Sequence, residues 1–162
     1  MEIKIIDLGL AYFTSNGAKV KRGGTPGFLA PEILDSEEKI TGLFGLPSDL
    51  YAIGVVYYCI VSGEHPYDSE DCHGVIEKNK IGKIDFQIPS ILNVSRMEQS
   101  LLKGMLALMR YDRSPIEHLF DTCQLLIDQI DRDQTECGGH LTLFGMKPIG
   151  KFDRSRASTF SL

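Results

Sequence analysis

The chain has 162 residues, is 43% hydrophobic and carries a net charge of −5. That is enough apolar material for one domain core, and the acidic balance gives no basis for general binding to nucleic acid or anionic membranes. The charge is uneven: from Gly145 onward Lys147, Lys151, Arg154 and Arg156 oppose Asp153 alone, for +3, which leaves −8 on the remainder.

The cysteines Cys59, Cys72, Cys123 and Cys137 form no C-x-x-C pair, and Met1 is followed by Glu2 and Lys4 rather than by a signal-peptide pattern. Reduced thiols and an intracellular location, cytoplasmic or nuclear, are therefore expected. The longest apolar run, Ala52 to Val61, is about half of the roughly 20 residues needed to span a bilayer. No membrane segment is expected.

Ile3, Ile5 and Ile6 are β-branched and run into Asp7-Leu8-Gly9. This predicts a short strand that ends in a carboxylate and turns at a glycine. Thr14 to Gly24 is polar, with Lys19, Lys21 and Arg22 and no period, and predicts a mobile loop. Pro31 and Glu32 open a short helix to about Ser36. Glu37 to Pro47 reads as a connector.

Ser48 is the expected N-cap of the next helix, with Asp49 adding negative charge at its start. From Leu50 to Val61 that helix has almost no polar face, so other elements must enclose it. It is the expected central post, stopped by Ser62-Gly63.

A polar helix is predicted over about Asp71 to Lys80. An irregular link then anchors through Phe86 and Ile88. Ser95 and Glu98 have the spacing of a capping box. Leu101, Leu102, Met105, Leu106 and Met109 form an apolar stripe behind it. A last helix starts near Ser114-Pro115, with Ile116, Leu119, Phe120, Cys123, Leu126, Ile127 and Ile130 as its predicted buried side. The periodicity fades beyond Asp131. The chain thus divides into a domain over 1–130 and a tail over 131–162, the latter expected to be largely disordered, above all beyond about Gly145.

The stretch from Asp7 to Glu32, closing with Gly24-Thr25-Pro26-Gly27-Phe28-Leu29-Ala30-Pro31-Glu32, resembles the activation segment of a eukaryotic Ser/Thr protein kinase. Asp-Phe-Gly is written here as Asp-Leu-Gly. The resemblance covers about Ile3 to Ile130. It implies a mainly α fold: part of a kinase C-terminal lobe, with a short β-strand and the activation segment followed by a helix bundle around a buried central helix. It also implies ATP-dependent phosphoryl transfer to protein Ser or Thr in an intact parent, with ATP and Mg²⁺ as cofactors and a protein as substrate.

Residue by residue, the resemblance makes Asp7 the ligand that holds Mg²⁺ against the ATP phosphates. Thr25 lies on the substrate-facing loop. Glu32 and Arg113 form an interior ion pair. Asp49 bonds to the backbone of the catalytic loop. Glu77 aligns with a position that reads a substrate arginine in some basophilic kinases, although a solvated helix glutamate is the simpler reading. Lys21 stands where many relatives carry a phosphorylatable residue, leaving Thr14 and Ser15 as poorly placed alternatives.

The family's His-Arg-Asp-x-x-x-x-Asn loop and strand lysine have no counterpart among the 162 residues. The chain by itself is therefore expected to be inactive and to bind neither ATP nor Mg²⁺ tightly. Three readings remain open. The chain is a fragment of a kinase, a non-catalytic kinase-derived binding or scaffold module, or one half of a split kinase partnered by a complementary N-terminal half. Without an earlier helix of the lobe, an apolar face of the Leu50–Val61 helix should stay open.

Two further patterns carry little weight. Cys137-Gly138-Gly139-His140 offers two soft ligands where a structural zinc site needs four. Arg156, three residues before Thr159, resembles a basophilic phosphorylation site.

Overall fold

The structure is a computed structural model and describes residues 4–11, 23–35 and 45–136. The basic loop with Thr14, Ser15 and Lys21, most of the 37–47 connector, the Cys137–His140 motif and the tail beyond Glu136 lie outside these described residues. Among the described residues the helices are α1 (Pro31–Asp35), α2 (Gly45–Ser62), α3 (Cys72–Ile81), α4 (Pro89–Leu92), α5 (Arg96–Met105) and α6 (Ile116–Glu136). Short 3-10 turns occur at Leu8–Leu10 and Arg110–Asp112. The fold is mainly α, as expected for part of a kinase C-terminal lobe.

Among the described residues, the strand predicted before Asp7 is not formed. The backbone over residues 4–7 has no regular structure, and Ile5 and Ile6 are exposed. β-branched residues favour a pleated surface only when a neighbouring strand supplies the ladder, and no strand is present among the described residues.

Helix α2 starts at Gly45, earlier than predicted. Pro47 is tolerated because first-turn N–H groups have no intrahelical acceptor. Ser48 is therefore inside the helix and does not cap it; its hydroxyl donates to Glu32 Oε1 at 3.0 Å instead. Tyr51 and Val55 are fully buried and Tyr58 nearly so. They centre a core with Ala30, Ile33, Tyr67, Ile91, Leu102 and Leu106. At Gly54 the helices α2 and α5 nearly touch: a Cβ there would lie 2.9 Å from Met105 Cβ.

The enclosure of α2 is one-sided. Ile53, Val56 and Ile60 are exposed. Their spacing puts them on one face, together with Asp49. Among the described residues α2 is also the one helix long and apolar enough, by length and composition, to cross a membrane. The helix exceeds the ten-residue apolar run because it also takes in Gly45–Tyr51 and Ser62.

The remaining helices follow their local signals. Asp71 caps α3 by accepting the Gly74 N–H at 2.7 Å, and Gly82 closes it in the left-handed region at φ 64°. Ser95 and Glu98 complete the capping box of α5. Leu101, Leu102, Met105 and Leu106 are buried, whereas Met109 lies beyond the helix and is exposed.

Helix α6 departs most from its predicted burial. Leu119 is buried and Leu126 half-buried, packing with Leu50, Leu101 and Met105. Ile116, Phe120, Cys123, Ile127 and Ile130 are exposed. The apolar stripe is wider than the single row, at spacing seven, that meets α2 and α5. The helix also continues to Glu136 rather than ending at Ile130.

Candidate functional site

Asp7 opens the segment. It sits in the left-handed region at φ 59°, the one non-glycine residue with positive φ among the described residues. An aspartate tolerates this conformation better than most side chains. Its carboxylate accepts the Gly9 N–H at a long 3.4 Å and is otherwise exposed. The two ends of the segment approach each other, since a Cβ at Gly23 would lie 3.3 Å from Leu10 Cδ2.

The loop from Gly23 to Ala30 turns on two glycines with positive φ, Gly24 at 136° and Gly27 at 87°. Thr25 is exposed, and its carbonyl accepts the Phe28 N–H at 3.1 Å. Gly27 is required twice over. Its backbone conformation strains any L side chain, and a Cβ there would lie 2.6 Å from His65 Cε1.

His65 supports this turn from below. Its ring meets Phe28 edge-on with centroids 5.0 Å apart. His65 Nδ1 accepts the Tyr67 N–H at 3.1 Å. The proton of the neutral ring must then sit on Nε2, which is buried with no partner among the described residues. Burial pushes the pKa of His65 below its ordinary value, against the opposing pull of Asp68.

The exit of the loop is held by charge. Arg113 and Glu32 meet in a two-pronged pair, with Nη1–Oε1 and Nη2–Oε2 both at 2.7 Å. Arg113 also donates through Nη1 to the Pro47 carbonyl at 2.9 Å, through Nε to the Ala107 carbonyl at 3.0 Å and through Nη2 to the Leu108 carbonyl at 3.3 Å. All five guanidinium N–H groups are thus used. The guanidinium lies 4.8 Å from the centre of the Tyr51 ring. The Arg113 side chain is 1% exposed and that of Glu32 15%. Burial alone would raise the pKa of Glu32, but the Arg113 hydrogen bonds and charge outweigh it and hold the carboxyl below its ordinary value.

Asp49 and Glu77 are placed differently. The Asp49 carboxylate has no hydrogen bond or ion pair among the described residues, and burial pushes its pKa up. Glu77 is exposed on α3 and pairs with Lys80 at 3.6 Å, one turn along. The structure therefore brings Glu32 and Arg113 together. It leaves Asp7, Thr25, Asp49 and Glu77 each on a separate surface feature.

Sequence reasoning missed a buried polar group beneath the loop. Asn79 is fully buried, as are Tyr51 and Tyr67. Asn79 Nδ2 donates to the Leu29 carbonyl at 2.9 Å, and its Oδ1 accepts from the Tyr51 hydroxyl at 3.3 Å. The Tyr51 and Tyr67 hydroxyls are also hydrogen-bonded to each other. Burial pushes the Tyr67 phenol up to about 12. The only sequence cue was four polar residues in a row, Glu77-Lys78-Asn79-Lys80, which reads as a solvated helix face.

A protein kinase domain family model matches residues 1–123. Calcium-dependent protein kinase 3 of Plasmodium berghei (strain Anka) is 35% identical over 108 residues, which are 65% of this chain and 18% of that protein. Calcium-dependent protein kinase 3 of Plasmodium yoelii yoelii is likewise 35% identical over 108 residues, 65% of this chain and 19% of that protein. The chain thus spans about a fifth of the length of the curated relatives it matches. With the match running through the Asp-Leu-Gly turn, the Ala-Pro-Glu helix and its arginine partner, the chain belongs to the eukaryotic Ser/Thr protein kinase family.

Proposed function

We propose that the chain is the part of a Ser/Thr kinase domain that runs from the metal-binding aspartate through the activation segment into the C-terminal lobe. In the intact protein it takes part in transferring the ATP γ-phosphate to protein Ser or Thr hydroxyls. The observation that carries this reading is the buried Glu32–Arg113 pair, which fastens the Ala-Pro-Glu end of the segment to the lobe. Its role is structural. Thr25, exposed on the loop ahead of it, faces the protein substrate.

Asp7 is the proposed Mg²⁺ ligand. Mg²⁺ binds through one or two carboxylates and takes its other ligands from phosphate and water, so a single exposed carboxylate at a turn fits a metal shared with ATP. No group of three or more metal-binding side chains occurs among the described residues, so those residues offer no all-protein cage. ATP and Mg²⁺ are cofactors of the intact protein, and the chain alone holds neither tightly. Glu77 would read a substrate arginine only in competition with Lys80.

The catalytic base and second metal ligand are supplied by sequence other than these 162 residues, and the chain alone is inactive. The face of α2 favours completion by a kinase N-terminal half over a free-standing binding or scaffold module. There the Asp49 carboxylate, without a partner among the described residues, stands in one row with exposed Ile53, Val56 and Ile60. A row of that kind suits a segment offering backbone N–H groups and apolar side chains together. A domain over 1–130 and a tail over 131–162 belong to the same proposal, with the last six residues of α6 running across that limit to Glu136.

The test compares the chain alone with the complete kinase-containing polypeptide, using labelled ATP and a protein substrate. The chain alone should show no phosphotransfer and no thermal shift with Mg-ATP. The complete protein should be active and lose activity in Asp7→Ala. Turnover by the chain alone would overturn the inactivity. A folded but inactive complete protein would select the binding module.

A further inference from the structure

We infer that Asn79 is a positioning residue for the substrate-facing loop, tying its backbone to the central helix through a one-way chain of hydrogen bonds that ends on the Leu29 carbonyl. The inference rests on the kinase reading for what the loop does, and on geometry alone for how it is held.

The direction of the chain follows from its end. The Leu29 carbonyl can only accept, so Asn79 must turn its NH₂ group toward it. That leaves Oδ1 facing Tyr51, whose hydroxyl must then donate. The Tyr51 oxygen is left to accept from Tyr67. One Asn79 N–H and both hydroxyl protons are thus committed, and each bond polarises the next.

Burial makes the arrangement informative. Asn79 is the one buried residue of α3, a helix otherwise half-exposed or exposed. A buried amide with no partner is costly, and an aliphatic residue of similar size would avoid that cost. The amide is matched to a loop carbonyl 50 residues away. Tyr51 joins this strut to the ion pair, since its ring also lies against Arg113. Leu29 and Glu32, three residues apart, are therefore fastened to one anchor. Gly24 to Phe28 project from it.

Two variants separate positioning from bulk stability. Asn79→Leu removes donor and acceptor at similar volume. Tyr51→Phe removes only the hydroxyl and keeps the ring beneath Arg113. Amide hydrogen exchange on the full chain should show Phe28 and Ile33 exchanging roughly five- to tenfold faster in Asn79→Leu. Tyr51→Phe should show a smaller change of the same sign. Leu106, whose N–H bonds to the Leu102 carbonyl at the end of α5, should be unchanged. Uniform acceleration at all three amides, or none, would overturn the inference.

In the complete kinase-containing polypeptide, Asn79→Leu should raise KM for a peptide substrate by a similar factor and leave KM for ATP alone. Equal changes in both would also overturn it. Absence of phosphotransfer in the wild-type protein would instead remove the kinase reading, and the exchange result would still decide whether Asn79 holds the loop.

Discussion

Arg113 and Glu32 are 81 residues apart in sequence and meet at 2.7 Å on both prongs. Arg113 also ties together the start of α2 and the backbone after α5 through the carbonyls of Pro47, Ala107 and Leu108. Truncation would leave the Glu32 carboxylate without its counter-charge, held only by the Ser48 hydroxyl, and these three carbonyls without the guanidinium donor. Arg113→Ala should therefore cost about 3–5 kcal/mol. Lys103→Ala, on the exposed face of α5, should stay within about 0.5 kcal/mol. Urea unfolding of the two variants checks this, and equal midpoints would contradict it.

Gly27 and Gly63 offer a matched pair. Both have positive φ, 87° and 77°, but a Cβ at Gly63 meets nothing within 4 Å, while one at Gly27 runs into His65. Gly63→Ala should cost about 1–2 kcal/mol, the strain of the left-handed region. Gly27→Ala should cost about 1–3 kcal/mol more, because the ring must also shift. Adding His65→Ala to Gly27→Ala should return part of that difference. Equal losses in the two single variants would show that His65 does not press on the loop.

His65 gives a pH dependence with a definite sign. Its folded pKa lies below the ordinary 6.5, so between the two values the unfolded chain binds more protons. Stability must then rise with pH through this window. The contribution is complete above about pH 6.5 and is lost as the pH falls toward the folded value. Protonation also puts a hydrogen on Nδ1, where the Tyr67 N–H needs an acceptor. His65→Gln should flatten the stability profile between pH 7 and the onset of carboxylate titration. Chemical denaturation at several pH values reads this directly, and an unchanged slope would count against it.

Glu32 adds a second, more acidic limb. Its folded pKa is held below 4.5, so the stability it provides is present above that value. It is lost as the pH falls through the folded pKa.

Much of the fold could be read from local chemistry. The capping box of Ser95 and Glu98 and the buried stripe of α5 both follow from rules that need only a few neighbouring residues. The readings that failed depended on partners distant in sequence. Ile5 and Ile6 have strand chemistry but no ladder to join. Ser48 looked like a cap because nothing near it in sequence reveals that Glu32 takes its hydroxyl. The stripe on α6 announces amphipathicity, not how many of its rows find a partner. Of the candidate site residues, Glu32 and Arg113 could be linked only through spaced motifs, while the role of Asn79 lay hidden because a polar residue between two lysines reads as solvent-facing.

The distance along the chain between Glu32 and Arg113 also has a temporal meaning. A ribosome adding 5–20 residues per second needs roughly 4–16 s to make the 81 residues that separate them. During that interval the carboxylate has been synthesised but its guanidinium has not. The Ala-Pro-Glu corner therefore cannot close as the polypeptide emerges and must wait until nearly the whole helical bundle has been translated. A stall or early termination before Arg113 would leave a nascent chain with α2 formed, its apolar residues uncovered and its corner unlatched, a species suited to capture by chaperones and to removal by proteases.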